Sequence, residues 1–213
     1  MKSKSNPFLR ALVSAASMAV TMGSIAHANQ YQWGGATSTD WATAGNWSTG
    51  TNLTAGPAPT GASFSHRLNV YNAASNKLIY TSSLGTTTYA NTNTAAAAGG
   101  GRGLVIGSGI NGEMEITGGT FSTLGAVSPD IIGNGDGKTG TLVVSGGSYI
   151  GTNAGTWMNI GGAIGSGRVS NLTVSGSGTA TLSTLNLNGV TINVNLNGGT
   201  LELNGFTNSS IVT

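Results

Sequence analysis

Cysteine is absent from this chain of 213 residues, so no disulfide staples it and no thiolate can serve as nucleophile or metal ligand. Charge is nearly as scarce. Asp, Glu, Lys and Arg make up 7% of the residues, against about 25% in an average domain. Histidine occurs twice, at His27 and His66. His66 beside Arg67 reads as a surface residue, because no Cys or further His outside the leader can complete a metal site with it. No Gly-x-Ser-x-Gly elbow is present to expose a nucleophilic serine. Long apolar runs are missing too. The stretch Ala11 to Ala26 is interrupted by Ser14, Ser17, Thr21 and Ser24, short of the ~20 apolar residues that span a bilayer.

That opening stretch instead has the parts of an export signal. Lys2, Lys4 and Arg10 form a basic start, the apolar segment follows, and Ala26-His27-Ala28 supplies an A-x-A cleavage site. Cleavage after Ala28 places the mature start at Asn29 and sends the protein to the cell surface or the medium. No second segment of spanning length follows, so no membrane insertion of the mature chain is expected. The leader holds three of the eight basic residues, leaving five (Arg67, Lys77, Arg102, Lys138, Arg168) against six acidic ones. The net charge of +2 therefore becomes −1, and no basic stripe remains to track phosphates. Nucleic acid is excluded as a partner on that ground.

Gly, Ser, Thr and Asn supply about half of the chain, well above ordinary usage. Disordered chains share such polarity, but they carry high net charge and few β-branched residues. Here charge is near zero, and Val, Ile and Thr recur with period two. An exported chain without disulfides must be held by core burial and backbone ladders, which suits a long stacked sheet.

The strongest signal is internal repetition. Ile106-Gly107, Ile132-Gly133 and Ile160-Gly161 each open a Gly-rich stretch. A short alternating strand follows: Met114-Glu115-Ile116, Leu142-Val143-Val144, Leu172-Thr173-Val174 and Val194-Asn195-Leu196. Gly118-Gly119, Gly146-Gly147, Gly176-Ser177 and Gly198-Gly199 then turn the chain. Self-similarity at roughly 20–30 residues marks a solenoid whose repeats bury apolar faces against their neighbours. Asn-Gly dipeptides at Asn111-Gly112, Asn188-Gly189, Asn197-Gly198 and Asn204-Gly205 supply positive φ for sharp turns. Such dipeptides also favour hairpins, so an antiparallel sandwich is the competing fold. The recurrence of turns in step with the repeat favours an all-β, single-stranded parallel β-helix. In that register Met114, Leu142, Leu172 and Val194 stack about 4.8 Å apart in one internal file, and Ile116, Val144, Val174 and Leu196 in the next.

Three regions follow. Residues 1–28 are the leader, 29–98 a cap with the first irregular rungs, and 99–213 the repeated rungs. Trp33, Trp41 and Trp47 crowd the start of the cap. They either cover the open end of the core, as atypical terminal repeats do, or form an aromatic platform for sugar rings. Leu68–Tyr71 and Lys77–Tyr80 read as strands, and Thr86–Ala98 as a low-complexity loop.

The Trp-containing start (Trp33, Trp41, Asn46-Trp47, then Pro57) precedes units of the form Ile-Gly…Gly-Thr-Leu-x-Val-x-Gly-Gly. The fullest is Ile132-Gly133…Gly140-Thr141-Leu142-Val143-Val144-Ser145-Gly146-Gly147. This combination resembles bacterial autotransporter-passenger-like β-strand repeat proteins. The resemblance spans residues 29–213 and implies an exported, right-handed parallel β-helix of a surface protein. The family's membrane barrel or C-terminal sorting helix has no counterpart before Thr213, which departs from its mode of anchoring.

Candidate chemistry is sparse. Gly133–Thr139 looks like a phosphate loop but has Ile132 where the motif needs Gly. The same loop with Asp130 could hold Ca²⁺, or be a turn built on Gly and Asp. Glu113 and Glu115, two apart on a strand, place two carboxylates on the outer face at a spacing an inverting glycosidase uses. Any i, i+2 pair does the same, and no third acid or Arg lies in register. Asn46, Asn52, Asn171 and Asn208 sit in glycosylation sequons.

The expected function is non-enzymatic: a structural stalk or adhesin-like surface-interaction segment, with an extracellular glycan or surface protein as partner. No catalytic residue, cofactor or metal site is assigned. The alternative is a polysaccharide lyase or glycosidase on the same fold. Ice binding would need Thr-x-Thr on successive rungs, and only fragments such as Thr179-Ala180-Thr181 appear. After the strand Thr200–Leu203, Phe206 is the only aromatic residue up to Thr213, and most of the rest are small or polar. Thin cover of that kind leads us to expect a longer chain, or end-to-end association with another copy.

Overall fold

A computed structural model describes residues 30–49, 54–55, 63–64, 67–71, 76–89, 103–123, 130–151, 158–160, 167–187, 191–204 and 206–208. The expected export signal, His66, Pro57, Arg102, Asn52, Gly189 and Gly205 lie outside them.

The described chain is all-β, in three sheets whose strands are taken in rotation. Sheet I contains β1 (Gln30–Trp33), β5 (Arg67–Val70), β8 (Leu104–Ile106), β11 (Asp130–Ile132), β14 (Met158–Ile160), β17 (Leu185–Leu187) and β20 (Phe206–Asn208). Sheet II contains β6 (Leu78–Tyr80), β9 (Gly112–Ile116), β12 (Thr139–Val144), β15 (Val169–Ser175) and β18 (Thr191–Asn197). Sheet III contains β4 (Ser63–Phe64), β7 (Thr86–Tyr89), β10 (Thr120–Ser122), β13 (Ser148–Gly151), β16 (Thr179–Leu182) and β19 (Thr200–Leu203). Every pairing between these strands is parallel. Antiparallel pairing among the described residues is confined to β2 (Trp47–Thr49) and β3 (Thr54–Ala55) beyond β1, and to a bridge between Ser175 and Gly198. The antiparallel sandwich is thereby ruled out for this region.

Period-two burial explains the register. In β12, Gly140, Leu142 and Val144 are buried while Thr139, Thr141 and Val143 are half-exposed, because successive side chains point to opposite faces. Leu78, Met114, Leu142, Leu172 and Val194 pair in one file, and Tyr80, Ile116, Val144, Val174 and Leu196 in the next. The expected stacking of Met114 through Val194 is therefore observed. Tyr80 makes the second file begin aromatic rather than aliphatic. Each fully buried aliphatic side chain in these files contributes about 1.5–3 kcal/mol.

Corners need glycine for two reasons. Gly107 and Gly133 follow β8 and β11 at φ +71°, and the Gly133 N–H donates to the Ile106 carbonyl. Gly112 was expected to supply positive φ after Asn111, but it opens β9 with an ordinary φ. Its requirement is space: a Cβ there would stand 3.1 Å from the Gly107 Cα. Of the Asn-Gly glycines described, only Gly198 has positive φ.

Thr86–Tyr89, expected as part of a loop, is a strand. Thr86, Thr87 and Thr88 pair with Thr120, Phe121 and Ser122, so sheet pairing overrides the low-complexity composition. The strands expected at Leu68–Tyr71 and Lys77–Tyr80 are observed as Arg67–Val70 and Leu78–Tyr80.

Trp33, Trp41 and Trp47 are all buried. Trp41 meets Trp47, Tyr80 and Phe121 edge-on at 4.9, 5.5 and 5.8 Å between ring centroids. Asp40 bridges Ile79, which seats Trp41 over the Tyr80 end of the inner file. The Trp47 indole N–H donates to the Trp41 carbonyl at 2.7 Å, so its polar end is satisfied inside. With all three rings buried in this cluster, they form no open platform for sugars.

Candidate functional site

Glu113 and Glu115 lie on the outer face of sheet II, as their alternation requires. The structure adds Lys77, which immediately precedes β6. Its Nζ lies 2.5 Å from Glu115 Oε2 and 3.9 Å from Glu113 Oε1. Ser145 Oγ donates to the other Glu115 oxygen at 2.8 Å. The hydrogen bond from Lys77 holds the Glu115 carboxyl below its ordinary range, helped by Ser145 and opposed by burial. The same bond raises the Lys77 ammonium. A general acid needs its proton retained near working pH, and this environment favours the carboxylate. The cluster acts as a clamp between neighbouring strands, and Lys77 was not foreseen as Glu115's partner because the pairing of β6 with β9 is decided between residues distant in the chain.

Asp130 is placed differently from either expectation for it. It pairs with Met158 in sheet I, next to Leu104, and is buried. Its Oδ1 accepts from the Leu104 N–H at 2.8 Å, and Oδ2 from Thr123 Oγ1 at 2.7 Å and from the Tyr149 hydroxyl at 2.5 Å. Burial pushes the Asp130 carboxyl up despite these bonds, and burial with the adjacent carboxylate pushes the Tyr149 phenol well above its ordinary value. The carboxylate is thus turned away from the 133–139 loop. Asp136 in that loop is held by Arg168, whose Nε donates to Oδ1 at 2.7 Å. The two acids therefore do not converge on a cation, and the loop is a Gly-Asp turn. A strand, β12, begins at Thr139, so no helix N-terminus faces a phosphate. Among the described residues no three His, Cys, Asp or Glu gather as a metal site. Asp130 was legible in one respect: it stands two residues before Ile132-Gly133, where Leu104 stands before Ile106-Gly107.

Two outer files are regular. Thr86, Thr120, Ser148, Thr179 and Thr200 pair in succession on sheet III, each preceded by Gly. No side-chain hydrogen bond within the described residues engages these hydroxyls. The neighbouring file (Thr88, Ser122, Ile150, Thr181, Glu202) is interrupted by Ile150 and ends in Glu202, so the double Thr ladder remains incomplete. On sheet II, Asn193 Nδ2 donates to Asn171 Oδ1 at 2.8 Å, and Asn171 Nδ2 to Thr141 Oγ1 at 3.1 Å.

Asn46, the first residue of a sequon, is buried. Its amide accepts from the Thr37 and Ser38 N–H groups and donates to Ser38 Oγ and the Asp40 carbonyl. It is a turn brace and offers no site for a glycan.

Among the described residues no helix is long and apolar enough to cross a membrane. Comparison with family models, with characterised proteins and with solved structures finds no match to this chain.

Proposed function

We propose that this chain is an exported, right-handed parallel β-helix acting without catalysis, as a stalk or adhesin-like interaction segment at the cell surface. The carrying observation is the rotation of strands through three parallel sheets, with each repeat pairing to the next. Right-handed crossover is the rule when parallel strands of one sheet are joined this way. The export signal and the resemblance to autotransporter-passenger-like repeats argue for such a rod outside the cell. Its outer faces favour contact over chemistry. Glu115 is committed to Lys77 and Ser145, and Asp130 is committed inside the core. The hydroxyl file of sheet III, which carries no charge of its own and has no side-chain hydrogen bond among the described residues, suits an extracellular glycan or protein.

The experiment is direct. Mature protein purified from the medium or cell surface should begin at Asn29 and release no product from a panel of plant and bacterial polysaccharides. Binding to immobilised glycans or surface proteins, weakened by replacing Thr120, Ser148 and Thr179 with Lys, is the supporting result. Turnover that disappears in Glu115→Gln would instead promote the polysaccharide-active enzyme.

A further inference from the structure

Charge is placed unevenly around the three sheets. Lys77, Glu113 and Glu115 lie on or beside sheet II, and Asp136, Lys138 and Arg168 at the corner between sheets I and II. The sheet III strands β4, β7, β10, β13 and β16 contain no charged residue, and Glu202 in β19 is the first. The Phe121 and Tyr149 rings of β10 and β13 stack inside the core, so neither is offered on the outer face.

The outer file Thr86, Thr120, Ser148, Thr179 and Thr200 is fixed strand by strand. The N–H groups of Thr120, Ser148, Thr179 and Thr200 donate to the carbonyls of Gly85, Gly119, Gly147 and Gly178 at 2.8–2.9 Å. Strands stack ~4.8 Å apart, so the five residues span about 19 Å across the sheet. The glycine before each of them puts no side chain on that flank. On the other flank, Ser122 shares the outer face with Thr120 by alternation. It is 2% exposed, and its Oγ has no hydrogen-bond partner among the described residues. An unmet hydroxyl just beneath a surface is uncommon, and a ligand bringing donors and acceptors supplies what it lacks.

We propose that sheet III takes a neutral, linear polysaccharide laid across its strands along this file. The proposal rests on the reading of the chain as an interaction segment and names the ligand class of that face. A sugar hydroxyl both donates and accepts, as the Thr and Ser hydroxyls do. An acidic or basic polymer finds no charge on β7 to β16 to pair with. A protein partner fits less well, because interface anchors are chiefly aromatic side chains and Arg, and the described side chains of this face include none. One hydroxyl contact exchanges a bond to water and nets little. Affinity therefore accumulates along a single polymer chain that meets several strands at once.

Mature protein should be retained by at least one immobilised neutral polymer among β-glucan, mannan and galactan, equally at low and high salt, and not by polygalacturonate. The hexasaccharide of that polymer should release it at a concentration roughly a hundredfold below that of the monosaccharide. Thr120→Val, Ser148→Ala and Thr179→Val together remove three hydroxyls with little change of shape. This triple variant should lose retention at an unchanged thermal midpoint. Ser148→Lys should give the same loss by obstructing the file, which keeps the test open should the triple variant misfold. Thr173→Lys, on the outer face of sheet II, should bind as wild type. Retention by surface proteins or polygalacturonate alone, or retention released by salt, overturns the proposal and leaves the interaction-segment reading standing. Retention by none of these sinks both. Competition by the monosaccharide as strong as by the hexasaccharide overturns the proposal, as does full retention of the triple variant.

Discussion

Tyr149 donates its hydroxyl to Asp130 Oδ2 at 2.5 Å, and both side chains are buried. The bond joins β13 of sheet III to β11 of sheet I across the interior. A carboxylic acid therefore occupies a place that Leu104 fills one repeat earlier. It is tolerated because Leu104, Thr123 and Tyr149 bring three donors to its two oxygens.

Asp130 makes stability depend on pH. Burial raises its carboxyl above the ordinary 3.8, so the folded chain binds that proton more tightly than the unfolded chain does. Its contribution is complete below that ordinary value and is lost as pH rises through the raised one. Urea midpoints should therefore fall with rising pH, and Asp130→Asn should flatten the fall. An identical slope in both proteins assigns the effect to another group.

The Lys77–Glu115 clamp should be worth little at neutral pH, since Lys77 is more than a third exposed. Glu115→Gln is expected to cost no more than about 1 kcal/mol, less in high salt. Its sign is opposite to that of Asp130. The lowered Glu115 carboxyl contributes stability above 4.5, which is lost as pH falls through the lowered value. Comparing urea unfolding of wild type and Glu115→Gln at acid and neutral pH checks this, and a larger difference at acid pH contradicts it.

Val144 is fully buried in the second inner file, whereas Asn195 is exposed on β18. Val144→Asp should cost several kcal/mol or abolish folding, because the charge would have no partner. Asn195→Asp should barely shift the thermal midpoint. Equal loss in the two variants would contradict this register.

Trp41→Ala should destabilise by about 3–5 kcal/mol, the usual cost of emptying a large aromatic site. It removes the ring that touches Trp47, Tyr80 and Phe121 at once. Denaturant unfolding measures it, and a loss below about 1 kcal/mol would show that the cap contributes little.

The period-two pattern of residues such as Leu142-Val143-Val144, bounded by Gly, was sufficient to place Met114, Leu142, Leu172 and Val194 in one file. Both faces of that pattern are local, since alternation follows from the backbone alone. The outer placement of Glu113 and Glu115 was legible for the same reason. Pairings decided between residues distant in the chain were not. Thr86 became the start of a strand because Thr120 lies beside it. The file from Thr86 to Thr200 was hidden because the connections between its members differ in length. Asp130 looked like a loop acid until Thr123 and Tyr149 arrived from another sheet. Lys77 and Glu115 met only when β6 and β9 came into register. Alternation within each strand, and corners such as Gly107 and Gly133, were therefore legible from the order of residues alone. Tertiary structure alone decided which polar groups became each other's partners, because a buried charge or hydroxyl is satisfied by whatever packing brings within hydrogen-bond reach.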